Sequence, residues 1–99
     1  MYVSGQIPVD VSAENSIPTS VEEQTHQVLK NINYILEEAD MSFQDVVKCS
    51  IFITNMDDFS KINEIYGQYF NDNQPARETV EVSHLPKGVQ IEISCIAQK

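Results

Sequence analysis

The chain has 99 residues, 41% hydrophobic and 21% charged, which suffices for one domain with a modest core and is not apolar-poor enough for disorder. Fifteen acidic residues against six basic ones give a net charge of −9 and a pI near 4.4, which disfavours mechanisms that track a nucleic-acid backbone or an anionic membrane. Apolar runs stay far below the roughly 18–20 residues of a bilayer span, and no basic segment precedes an apolar one at the N-terminus, so a soluble, cytoplasmic protein is expected.

The opening "MYVSGQIPVD" reads as a strand that turns at Gly5 and Pro8, and the polar stretch Val11 to Thr19, with Pro18, reads as a loop. Ser20 followed by Glu23 is a capping box, in which the hydroxyl and the carboxylate each satisfy an orphan backbone N–H. The helix it opens places Val21, Thr25, Val28, Leu29, Ile32, Ile35, Leu36 and Ala39 on one face at the 3.6-residue period. "VVKCSIFIT", Val46 to Thr54, is β-branched and alternating, which predicts a strand with Val47, Cys49, Ile51 and Ile53 on one side. Asp57 or Asp58 then caps a second helix with Phe59, Ile62, Ile65, Tyr66, Tyr69 and Phe70 on its apolar face.

Two alternating runs close the chain, Ala76 to Val82 and Val89 to Ala97, and the intervening "SHLPKG" predicts an antiparallel hairpin. The resulting order, β-α-β-α-β-β, is that of an α+β domain with two helices on one face of a single sheet. If Val82 lies opposite Val89, one face of the hairpin is apolar apart from Glu78. The other is polar, with Arg77, Thr79, Glu81, Gln90, Glu92 and Ser94. Its plain reading is a solvated face joined by an ion pair.

Arg77 stands out because it is the only arginine in the chain. A guanidinium binds a planar carboxylate with a bidentate fork, and a carboxylate such as Glu92 near a reacting centre can exchange a proton or orient water. His26 lies near Glu22 and Glu23 but has no third ligand at metal-site spacing, so it and His84 are read as surface residues. Cys49 and Cys95 fall in strand interiors and are expected as buried reduced thiols, with a bridge left open. Gly5, Gly67 and Gly88 are scattered, so no phosphate-binding loop is present, and neither a cofactor nor a metal is expected.

The blocks "SGQIP" (Ser4–Pro8), "PARETVEV" (Pro75–Val82), "LPKG" (Leu85–Gly88) and "IEISCIA" (Ile91–Ala97), in this order, resemble the RidA (YjgF) family over the whole chain. The resemblance implies a chorismate-mutase-like α+β fold, assembled as a homotrimer with inward-facing sheets and ligand sites in the clefts between subunits. It implies hydrolysis of reactive enamines and imines such as 2-aminoacrylate to 2-keto acids and ammonia. Arg77 would bind the substrate carboxylate and Glu92 would position the attacking water. Gly5 would lend backbone groups, while Thr79 and Asn63 would line the site. The resemblance further implies a preceding strand with a Gly-Pro-Tyr or Gly-Pro-Phe-like motif, which residues 1–99 do not include, and within these residues the chain departs from the family by carrying Glu78 where relatives have a small residue and by a short "NDNQ" segment. Two other readings stay open: a non-catalytic, small-molecule-binding or regulatory trimer, and an endoribonuclease. The net charge and the lack of a catalytic histidine pair argue against the second.

Overall fold

The computed structural model, which describes residues 1–99, has the expected element order: β1 (Tyr2–Gln6), α1 (Val21–Glu38), β2 (Val46–Ile53), α2 (Phe59–Tyr69), β3 (Ala76–Glu81) and β4 (Ile91–Ala97). Helix α1 starts at Ser20, whose hydroxyl accepts the N–H of Glu23 at 3.1 Å and donates to the Glu23 carboxylate at 3.0 Å. The cap is therefore made, although the carboxylate turns to the hydroxyl instead of to the backbone. Its inward stripe holds Val28, Leu29, Ile32 and Leu36 at 0–1% exposure, while Ala39 terminates the helix in solvent.

Helix α2 is not capped by an aspartate. Asn55 accepts the N–H of Asp57 at 3.0 Å and opens a short 3-10 turn, Met56–Asp58, that runs directly into α2. In β2 the alternation is displaced at its start: a register irregularity between Val46 and Lys48 buries Val46 (1% exposed) and turns Val47 out (46%), contrary to the simple parity reading.

The sheet order is β1-β4-β2-β3, with β2 and β3 parallel and both other pairings antiparallel. The expected hairpin between Ala76–Val82 and Val89–Ala97 does not form. A parallel crossover through α2 places β3 beside β2, and the connection after Val82 then passes the end of β2, so that β4 inserts between β1 and β2. Two backbone bonds mark this crossing, Val82 N–H to the Ile53 carbonyl at 2.8 Å and Thr54 N–H to the Gln90 carbonyl at 3.2 Å. Pro86–Gly88 makes a 3-10 turn in which Lys87 and Gly88 have φ of 58° and 69°, so the Gly serves a left-handed turn within this longer connection.

Central β4 buries alternate residues, Ile91, Ile93, Cys95 and Ala97, against both helices' side of the sheet, and β2 adds Cys49, Ile51 and Ile53. The open side carries Tyr2, Lys48, Ser50, Phe52, Glu78, Val80, Glu92, Ser94 and Ile96, as the strand registers require. Leu29 is fully buried in this core, so Leu29→Ala is expected to cost about 2–5 kcal/mol in a urea titration. No helix is long and apolar enough to cross a membrane.

Candidate functional site

Register decides where the candidate side chains point. Arg77 pairs with Cys49, and Thr79 with Ile51, so both lie on the helix side of the sheet. Glu92 pairs with Phe52 and faces the open side. The expectation that Arg77, Thr79 and Glu92 share one polar face is therefore corrected: it rested on a direct β3–β4 pairing, whereas β2 intervenes and the two charged groups emerge on opposite faces. Glu78 is corrected with them. It lies on the open side, accepting a 2.9 Å bond from Ser50 and facing Lys48 at 3.6 Å, away from the guanidinium.

Arg77 extends from the edge strand along the flank of α2. Its Nη1 donates to Asn63 Oδ1, and its guanidinium carbon lies 4.8 Å from the centroid of the Tyr66 ring and 5.7 Å from that of Phe59. Phe59, Asn63 and Tyr66 fall at i, i+4 and i+7, so a single helical flank provides a ring, an acceptor and a second ring for one planar cation. Despite fifteen acidic residues, no carboxylate pairs with Arg77; the one ion pair in the chain joins Lys48 and Glu78. The exposed guanidinium keeps donors free for a ligand.

Beside it opens a cleft of about 450 Å³, walled by Tyr66 and Gly67 on α2, by Phe70 at its C-terminal end and by Gln74 and Pro75 on the approach to β3. Thr79 sits half-buried two residues further along the same face. Tyr66 and Phe70, expected only as core, thus also border the candidate site. The signal was the i, i+4, i+7 spacing of ring, amide and ring on a helix ahead of the lone arginine.

On the open side, Glu92 lies directly over Gly5. A Cβ at Gly5 would stand 2.5 Å from Glu92 Oε2 and 2.8 Å from its carboxyl carbon, so glycine is what leaves room for this carboxylate. The β1–β4 register shifts between Val3 and Gln6, at this same place. The structure accordingly brings together two pairs, Arg77 with Asn63 and Glu92 with Gly5, without joining them in one chain.

Both cysteines are free and buried in the core. Burial is the main cause that raises the Cys49 thiol, against smaller opposing effects of the Tyr66 hydroxyl and the Arg77 charge. Burial, followed by the neighbouring Cys49, pushes Cys95 up to about 12. The Tyr66 hydroxyl, buried without a well-formed hydrogen bond and next to Cys49, is also raised, chiefly by burial. His26 is not a free surface group as expected: half-buried between the helices, it places Nδ1 2.8 Å from the Tyr69 hydroxyl. No three His, Cys, Asp or Glu side chains cluster as a metal site.

Residues 1–99 match the family model described as Endoribonuclease L-PSP. A RutC family protein of Pyrococcus horikoshii is 46% identical over 99 residues, which are 100% of this chain and 79% of the relative. The human 2-iminobutanoate/2-iminopropanoate deaminase is 43% identical over 97 residues, 98% of this chain and 71% of the relative. Among solved structures, the YjgF gene product of E. coli superposes with a TM-score of 0.95 at 40% identity, covering 99% of this chain and 79% of the other.

Proposed function

The chain belongs to the Endoribonuclease L-PSP family, the RidA (YjgF) family that its motifs resemble, and from that premise we propose that it hydrolyses 2-imino acids to 2-keto acids and ammonia. The observation that carries this reading is the lone arginine, oriented by Asn63 and two rings and left without a carboxylate of its own. Such a group suits a ligand carboxylate.

In the reaction, an enamine such as 2-aminoacrylate first tautomerises to the imine. Arg77 holds the carboxylate while water adds to the imine carbon. Glu92 takes the proton released by the water and passes it to the nitrogen, and transfer of the carbinolamine's hydroxyl proton to that nitrogen then lets it collapse to the ketone with loss of ammonia. Because Arg77 and Glu92 leave opposite faces of the sheet, one chain does not surround one substrate with both. A homotrimer with inward-facing sheets meets this requirement, since the edge of one subunit then approaches the open face of the next. Tyr2 and Val80, 73% and 43% exposed on that open face, suit such an interface.

The direct test supplies 2-aminoacrylate from a serine dehydratase and measures pyruvate formation against a competing amine trap. Faster formation with the protein supports the deaminase, whereas an unchanged rate with retained keto-acid binding would favour the regulatory reading. For cleavage of RNA the net charge of −9 offers little support.

Gly5 gives a second test. Its φ is not left-handed, so alanine fits the backbone, and the clash falls on a movable side chain. Gly5→Ala is expected to displace the Glu92 carboxylate and lower kcat by about ten- to a hundredfold while the Tm barely moves. An unchanged kcat would remove Gly5 from the site.

A further inference from the structure

The residues that carry the chain from the end of α2 to β3, Asn71 to Pro75, take part in no backbone–backbone hydrogen bond. Yet Gln74 and Pro75 form one wall of the cleft beside Arg77, and the same segment delivers β3 to the edge of the sheet, with Arg77 following closely on Pro75. A connection whose backbone is not hydrogen-bonded has no fixed course of its own, so the wall must be set by something else.

One side chain ties it down. Asn73 turns its Nδ2 to three carbonyls, donating to Val46 at 2.9 Å, to Phe43 at 3.0 Å and to Gln44 at 3.3 Å. These carbonyls belong to the 3-10 turn Phe43–Asp45 and to the first residue of β2, and Val46 is only 1% exposed, so the anchoring point is itself fixed in the core. No other side-chain hydrogen bond or ion pair engages Asn71 to Pro75. An amide has two N–H groups, so the longest contact is shared, and three converging acceptors admit only a donor. Asparagine suits the position for that reason: an aspartate of the same shape would turn a negative charge on three carbonyls, and a threonine brings a single donor.

We propose that Asn73 is a positioning residue for the carboxylate site: by pinning the α2–β3 connection to the buried start of β2, it fixes the wall at Gln74 and Pro75 and the entry of β3, and so the place from which Arg77 meets its ligand. The proposal rests on the reading of Arg77 as the carboxylate anchor. Asn73 does not line the cleft and acts through its neighbours.

Steady-state kinetics of 2-aminoacrylate hydrolysis, run well below the melting temperature and beside a thermal melt, tests this with Asn73→Asp, Asn73→Thr, Arg77→Ala and the double variant of Asn73→Asp with Arg77→Ala. Asn73→Asp is expected to raise KM about tenfold with kcat within about twofold, because an anchor misplaced by on the order of an ångström binds less well while the pair of Glu92 and Gly5 is untouched. Asn73→Thr, with one donor left, is expected to fall between it and the wild type, and it carries the measurement if the aspartate variant does not fold. A residue that works through Arg77 costs little more once the guanidinium is gone, so kcat/KM of the double variant should lie within about twofold of Arg77→Ala alone. A lowered Tm with an unchanged KM in the Asn73 variants would make the role purely structural and overturn the proposal, as would a loss that persists in full in the Arg77→Ala background. A KM that rises in Arg77→Ala but not in the Asn73 variants refutes this inference alone. A KM unmoved in Arg77→Ala refutes the anchor together with it.

Discussion

Replacing Arg77 with alanine is expected to lower kcat/KM for 2-imino acid hydrolysis by about a hundred- to a thousandfold, the equivalent of two charge-assisted hydrogen bonds at about 1.5–3 kcal/mol each with partial compensation by water. The loss should appear chiefly in KM, because a carboxylate remote from the reacting carbon is held equally in the ground and transition states. Arg77→Lys is expected to recover only part of it. An ammonium cannot bond Asn63 and at the same time offer a planar fork, and it stacks less well on Tyr66 and Phe59. The fold should survive both changes, since Arg77 lies exposed on an edge strand and its contacts with the rings contribute at most about 1 kcal/mol. Steady-state kinetics beside a thermal melt checks this. A KM unmoved in Arg77→Ala would remove the carboxylate anchor and with it the deaminase reading.

The same residues show what could be read in advance. Both helices and β2 announced themselves because their apolar positions repeat at the period of the element, and burial enforces that period. The pairing of β3 was hidden for a physical reason. "SHLPKG" punctuates a connection that skips over β2 in the same way as it would punctuate a hairpin, so local turn chemistry does not name the neighbour. Parity then misled as well. In "ARETVE" the apolar Ala76 and Val80 suggested the core side, but β3 is an edge strand whose helix side meets the flank of α2, and that flank presents rings and an amide suited to a guanidinium. The candidate residues were legible as motifs, whereas the side of the sheet on which each emerges required the strand order.

Opposite emergence leads to a prediction about assembly. Glu92→Gln keeps the shape that Gly5 accommodates while removing the base, so kcat is expected to fall by about 10²–10⁴ with KM nearly constant. At substrate concentrations well below its raised KM, where the mixture is assayed, Arg77→Ala should also be nearly inactive. If each site takes Arg77 from one subunit and Glu92 from the next, subunits of the two variants mixed by co-refolding will assort at random. A site is then intact when its arginine comes from the Glu92→Gln chain and its glutamate from the Arg77→Ala chain. Each condition holds for half of the subunits, so an equal mixture is expected to regain about a quarter of wild-type activity, while either variant alone and the double variant stay low. Sites built within single subunits would regain nothing at any mixing ratio, because every chain in the mixture carries one defect. The recovered fraction thus reports the geometry of the site as well as its chemistry, and a value near zero from a properly assembled mixture would mean that Glu92 and Arg77 do not serve one substrate across an interface.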